Sequence, residues 1–356
     1  MGCLLYPLGG SRRLSLTRTD PEAKLAARTI RTRRAQGRLL AKGPPHRIMA
    51  DKPRMHDDEV STDASLVRRL LAAQFPQWAG LPIEPVRSDG TDNAMYRLGG
   101  DLAARLPRRP GAVRPMDKEH VWVPRLAPRL PLPLPLPIAK GAPGEGYPWP
   151  WSVCRWLDGE TPTPARIGDI TRFADDLASF IRALQAIDAA DAPLAGAHNH
   201  GRGAPLAQWQ AKIAERLAWL ADLGDIGRVT AAWEADAETP PWERPPVWIH
   251  GDLSAGNLLA RAGRLSGVID WNCLGAGDPA CELQVAWTLF DDHGRQAFKA
   301  AMAVDEATWT RGRAWGLAMG VLNLSYYRAR SPRLAQQAER AIAAVLADHA
   351  RTRGSG

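Results

Sequence analysis

The stretch VWIHGDLSAGNLL, Val247 to Leu259, with VIDW beyond it at Val268 to Trp271, decides how this 356-residue chain is read. Val247 to Ile249 is a short apolar run, which predicts a strand that delivers the chain to His250. Gly251 and Gly256 punctuate a loop, and two apolar runs around RAGR, Arg261 to Arg264, predict a hairpin. That hairpin returns Asp270, 18 residues after Asp252, to the loop that carries Asp252 and Asn257. Three oxygen-bearing side chains then converge. A plainer reading has Asp252 and Asn257 satisfying only the backbone of their own turn, as such residues often do. It leaves Asp270 unexplained.

A carboxylate with an amide oxygen suits Mg²⁺, a hard cation that prefers oxygen ligands and fills the rest of its shell with phosphate oxygens and water. A second carboxylate can accept the proton of a substrate hydroxyl. Phosphoryl transfer uses these parts, because its catalysis is mostly positioning and neutralisation of phosphate charge. H-x-D-x-x-x-x-N with D-W after a hairpin resembles the aminoglycoside phosphotransferase family, relatives of the protein kinases, whose loops read H-R-D-x-x-x-x-N and D-F-G. Gly251 stands where kinases have Arg and Trp271 where they have Phe, as in the antibiotic-kinase branch.

The resemblance implies an α+β, protein-kinase-like bilobal fold with a small β-sheet N-lobe and a mostly helical C-lobe. It implies ATP-dependent transfer of the γ-phosphate to a hydroxyl of a small molecule, with an aminoglycoside or related antibiotic favoured as acceptor. The same family phosphorylates macrolides, sugars and amino alcohols, so a metabolic kinase stays open, and a catalytically inert nucleotide-binding module is a third reading. By the same resemblance Asp252 is the base or orienter for the acceptor hydroxyl, Asn257 and Asp270 hold Mg²⁺, and His250 supports the loop. Asp278 and Glu282, in GDPACEL, brace it.

Upstream, SDGTDNAMYRL resembles the nucleotide-covering loop between the first two strands, with Ser88 and Gly90 at the phosphates. LAARLP puts Arg105 where kinases have their phosphate-pairing Lys. Arginine keeps the charge but offers a planar fork, so the exchange is not neutral. Glu119, on a helix expected over 115–126, is its partner. The resemblance implies a hinge over 152–158, where Cys154 and Trp156 fall, that meets the adenine through its backbone. Asp291 and Asp292 are candidates for an acidic acceptor cleft, against a plainer role as a solvated helix end.

The net charge of +8 suggests nucleic acid until it is located. Residues 1–48 hold eleven Lys and Arg against Asp20 and Glu22, which leaves the remainder near −1. The basicity belongs to a leader, so no nucleic-acid partner is expected. The leader lacks hydrophobic periodicity and is expected to be disordered, with translation starting naturally at Met49 or Met55. No apolar run reaches the roughly 18 residues that a bilayer span needs, so no membrane association is expected. The four cysteines form no CxxC pair, and a cytoplasmic setting fits.

The N-lobe is expected over 49–154 and the C-lobe over 155–356. Leu66, Leu70, Leu71 and Phe75 recur at helical spacing, and helical periods return after Thr171: Phe173 to Ile187, Leu206 to Leu220, and about 280–290, 306–328 and 332–350. The proline ladder LPLPLPLPIA excludes helix and predicts an extended connector. Most of the fourteen tryptophans, including Trp209, Trp219, Trp287 and Trp315, lie in periodic segments and are expected in the core. The sequence carries no signal for oligomeric state.

Overall fold

Asp63 begins the first helix by accepting a hydrogen bond from the Leu66 amide at 2.7 Å, a side-chain cap that satisfies one of the helix's orphan donors. The structure, a computed structural model, describes residues 59–86 and 92–354. The leader 1–48, Met49, Met55, Ser88 and Gly90 lie outside the described residues. Helix α1 (Ala64–Gln74) buries Leu66, Val67, Leu70 and Leu71. These pack on Tyr96, Leu98, Ala104, Leu106, Trp151 and Val153 of an antiparallel sheet. Burial of each large apolar side chain stabilises by about 1.5–3 kcal/mol, so this face is enough to dock α1.

The sheet is built from β1 (Ile83–Pro85), β2 (Asn93–Leu98), β3 (Leu102–Pro107), β4 (Pro137–Gly141) and β5 (Trp151–Arg155), in the order β1-β2-β3-β5-β4. Helix α2 (Val113–Leu126) lies between β3 and β4 in the chain and buries Met116, Glu119, Val123 and Leu126. It begins two residues before the predicted start. The proline ladder forms no helix, as its missing donors require: bends at 130–132 and irregular backbone over 133–136 lead into β4. Strand β5 ends at Arg155, so Trp156 and Leu157 belong to the connection that follows it.

Beyond that connection helices dominate: α3 (Ile170–Gln185), α4 (Gln210–Ala218), α5 (Ile226–Ala237), then α6 (Val285–Thr288), α7 (Asp292–Met302), α8 (Glu306–Tyr327) and α9 (Pro332–Gly354). The expected helix over 280–290 is a 3-10 segment, Pro279–Gln284, that runs into α6. Helix α8 is buried on nearly every side, as a central helix should be. A Cβ at Gly312 would lie 2.5 Å from Leu283, so glycine there lets α8 close on the 3-10 segment. Trp209, Trp287 and Trp315 are core. Trp219 is not, being 54% exposed. It follows the last residue of α4, and its ring is covered instead by the Arg216 guanidinium, 3.8 Å from the centroid.

Three short pieces set up the loop of interest. Strand β6 (Val247–Ile249) pairs with β9 (Gly275–Gly277), and β7 (Leu258–Arg261) pairs with β8 (Arg264–Val268). Ala262 and Gly263, both at positive φ, turn the β7–β8 hairpin, the combination that tight two-residue hairpins need.

Candidate active site

His250 leaves β6 into a tightly held loop. Its ring is buried, its Nε2 lies 3.0 Å from the Ile269 carbonyl, and its Nδ1 lies 3.2 Å from the Asp252 amide nitrogen. A carbonyl only accepts, so Nε2 carries the proton and Nδ1 accepts. Burial pushes the imidazole down to about 4, which keeps it neutral. Gly251 has φ +80, and a Cβ there would sit 2.6 Å from the Cys273 carbonyl oxygen. Only glycine passes at that point.

Glu282 holds the same loop from beneath. Its two carboxylate oxygens accept the backbone N–H groups of His250 at 3.1 Å and of Gly251 at 2.8 Å. Burial pushes this carboxyl up to about 7, against the pull of the two amide donors. Asp278 caps the 3-10 segment through the Ala280 amide at 2.9 Å and accepts Arg311 Nε at 2.7 Å. Glu282 thus holds the loop backbone directly, whereas Asp278 bonds the 3-10 segment and Arg311.

Asn257 donates its amide nitrogen to the Asp252 carbonyl at 2.8 Å and to the Asp252 carboxylate at 3.1 Å. Its backbone carbonyl accepts the Ile269 amide at 2.9 Å, which carries the hairpin ladder up to the residue before Asp270. Burial pushes the Asp252 carboxyl up to about 6; Asp270 adds to the rise, while Arg202 and the Asn257 hydrogen bond hold it down. It is mostly ionised at neutral pH and close enough to its transition to take a proton. Arg202, a residue no motif pointed to, lies 3.4 Å from Asp252 Oδ1. It sits in HGRGA between two glycines, with no local pattern to single it out.

Asp270 takes a left-handed backbone conformation, φ 63 and ψ 67. Its Oδ1 is buried without a hydrogen-bond donor, although the Arg105 guanidinium is 3.5 Å away. Arg105, on β3, reaches three groups: it ion-pairs with Glu119 of α2, donates to Asn272 Oδ1 at 2.7 Å and attracts Asp270. Burial pushes the Glu119 carboxyl up, and Arg105 opposes that rise. Asn272 is a second residue that sequence reasoning missed.

These groups end a cavity of about 390 Å³. Val86, Met95 and Ala103 line it from the sheet, Cys154 to Leu157 from the connection, and Leu259 and Ile269 from the hairpin. Arg105, Asn257 and Asp270 line it too, together with Asp92, Glu160 and Arg166. Apolar walls with charged groups among them suit a planar base joined to phosphates. Trp156 keeps its ring beneath Arg97, 4.9 Å from the centroid, and donates its indole N–H to Asp158 at 2.9 Å. Among the described residues no group of three or more His, Cys, Asp or Glu stands ready to hold a metal ion. A cation here would have Asp270 and Asn257 as protein ligands, with the Asn257 nitrogen already committed and the Asp270 oxygen lacking a donor. This oxygen-only set fits Mg²⁺ with phosphate and water completing its shell.

Asp291 and Asp292 are not brought to this site. Asp291 caps α7 through the Gly294 amide at 2.8 Å. Asp292 pairs with Arg295 at 2.6 Å and Arg351 at 2.8 Å.

Residues 83–315 match the sequence model of the phosphotransferase enzyme family. Aminoglycoside 3'-phosphotransferases of Escherichia coli and Salmonella typhimurium are 31% and 30% identical over 121 residues, a third of this chain. The alignments take in 43% of each relative, so the chain spans less than half their length in sequence. An aminoglycoside 2'-phosphotransferase solved with GDP superposes at TM-score 0.62 and 18% identity, over 81% of this chain and 99% of that one. A macrolide 2'-phosphotransferase of Brachybacterium faecium superposes at 0.51 and 21%, over 79% and 97%. At these identities the superpositions speak to the fold, which is the expected kinase-like α+β arrangement.

Proposed function

Because the chain belongs to the phosphotransferase enzyme family, by its match over residues 83–315, we propose that it transfers the γ-phosphate of ATP to a hydroxyl of a small molecule. The observation that carries this reading is that one hairpin brings Asn257, which is bonded to Asp252, and Asp270 to the lining of a single cavity. Arg105, steadied by Glu119, meets the phosphates and neutralises their charge. Asn257 and Asp270 would hold Mg²⁺, which when bound would supply charge neutralisation on the phosphate oxygens. Asp252 orients the acceptor hydroxyl and takes its proton as the hydroxyl oxygen bonds to the γ-phosphorus and the bond from that phosphorus to the bridging oxygen breaks, releasing ADP. His250 and Glu282 keep the loop in place without touching substrate.

Relatives named for aminoglycosides and macrolides make such antibiotics the first acceptors to try, with amino sugars and amino alcohols next. No described helix is long and apolar enough to cross a membrane, and we place the reaction in the cytoplasm. A coupled ADP-release assay over these acceptors tests the reading. Acceptor-dependent release supports it; Mg²⁺ and ATP binding with no release on any acceptor supports the inert nucleotide-binding module instead.

A further inference from the structure

Three consecutive residues of α2 hold three different parts of the molecule. Glu119 pairs with Arg105 of β3. His120 Nε2 lies 2.9 Å from Ser152 Oγ of β5, which ties α2 to the sheet a second time. Lys118 reaches away from the sheet to the short turn Ala197–Asn199, where its ammonium lies 3.1 Å from His198 Nδ1 and donates to the His198 carbonyl at 3.2 Å. His198 Nε2 is 2.7 Å from the Leu194 carbonyl. That carbonyl only accepts, so Nε2 carries the proton and Nδ1 is left to accept from Lys118. Burial pushes this imidazole down against the pull of the Leu194 bond, with Lys118 adding to the fall, and the ring stays neutral.

Trp122, four residues after Lys118 and so on the same face of α2, makes a second contact of this kind. Its ring stands 4.9 Å from that of Trp248, tilted by 59°, a geometry in which aromatic rings attract. Trp248 is buried and donates its indole N–H to the Asp188 carbonyl at 2.9 Å, so it is a fixed seat. It lies in β6, which pairs with β9, and the His198 turn packs on β9 as well: a Cβ at Gly275 would lie 3.3 Å from His198 Cε1. Lys118 and Trp122 therefore dock α2 on one platform.

The same platform carries the Asp252 loop. Strand β6 runs into His250, and His250 is bonded to the Ile269 carbonyl, next to Asp270. Arg105 and Asp270 come from different parts of the chain and stand 3.5 Å apart, a spacing they must keep to meet the same phosphates. Glu119 and Ser152 relate α2 to the sheet that bears Arg105. Lys118 and Trp122 relate it to the strand that leads towards Asp270. We infer that Lys118 and Trp122 are positioning residues, which set where Arg105 meets the phosphates by docking α2 on the β6–β9 platform. The inference rests on the phosphotransferase reading and goes beyond it, since neither residue lines the cavity.

The test is calorimetric titration of the full chain with ADP in Mg²⁺, with adenosine measured by its competition against ADP, beside hydrogen exchange of the α2 amides. Trp122→Ala is expected to weaken ADP by about tenfold and adenosine by less than about twofold, because only the phosphates depend on Arg105. Trp122→Phe keeps a ring against Trp248 and is expected to restore most of the loss. Lys118→Met should weaken ADP in the same sense by about threefold, and the α2 amides should exchange faster in Trp122→Ala and Lys118→Met. ADP bound by Trp122→Ala as by the wild type, ADP and adenosine weakened alike, or no rescue by phenylalanine overturns the proposal. Should Trp122→Ala not fold, Lys118→Met decides by the same comparison of ADP with adenosine. A wild-type chain that binds neither ligand counts against the phosphotransferase reading instead; exchange alone then judges the docking, and equal protection of α2 in wild type and variants overturns it.

Discussion

The Nε2 of His250 lies 3.0 Å from the Ile269 carbonyl, so the residue that opens the Asp252 loop is tied to the residue just before Asp270. Two corners of the proposed site are thus spaced by one buried bond. His250→Ala leaves that carbonyl and the Asp252 amide without their partner. The cost of such buried unsatisfied groups is about 1–3 kcal/mol each. The melting temperature should fall, and kcat should fall more than nucleotide affinity does. Thermal unfolding with steady-state kinetics checks both, and an unchanged melting temperature would contradict the bracing role.

Asp252 must be ionised to take a proton, and burial has raised its carboxyl to about 6. The sign follows directly: kcat/KM should be flat above about pH 7 and fall towards tenfold per unit below the transition. Arg202 holds that value down, so Arg202→Met should move the acid limb to higher pH, and Arg202→Lys should bring it part of the way back. A pH–rate profile of the three proteins decides, and an acid limb that does not move in Arg202→Met removes Arg202 from this role.

Arg105 serves Glu119, Asn272 and Asp270 at once. A lysine has one point charge and no fork, so Arg105→Lys should weaken nucleotide binding by roughly tenfold, about 1.4 kcal/mol. Arg105→Ala should also destabilise the fold, because it leaves the buried Glu119 carboxylate uncompensated. Calorimetric titration of ATP and a melting curve test this, and a lysine variant that binds ATP as wild type would show the fork to be dispensable.

Asp270 Oδ1 is buried without a donor, the condition expected of a ligand atom. Asp270→Ala should abolish the Mg²⁺ dependence of nucleotide affinity while leaving the weaker, metal-free affinity close to wild type. Titrations with and without Mg²⁺ measure the difference. A variant in which Mg²⁺ still strengthens binding would place the cation elsewhere.

The central loop was legible because Asp252, Asn257 and Asp270 are joined by one local hairpin, whose turn and apolar runs are written in consecutive residues. The pairing of Arg105 with Glu119 was legible for a similar reason, one strand and one helix close in the chain. Arg202 was not, since it meets Asp252 from 50 residues away and lies in an irregular segment with no period. Strand β9, Gly275 to Gly277, was missed because Gly-Ala-Gly has no side-chain pattern; only its pairing with β6 makes it a strand. Trp219 read as core because its spacing continued the helix, but the helix ends at Ala218, and the ring falls outside the buried stripe.

The most direct test of the central claim is transfer of label from γ-³²P-ATP to acceptor by the wild-type chain and by Asp252→Asn. Labelled acceptor is expected from the wild type, with a rate lower by about 10²–10⁴ in the variant and equal ATP affinity in the two. Labelled acceptor formed at the same rate by both proteins would contradict it, as would ATP bound by the wild type with no label moved to any hydroxyl.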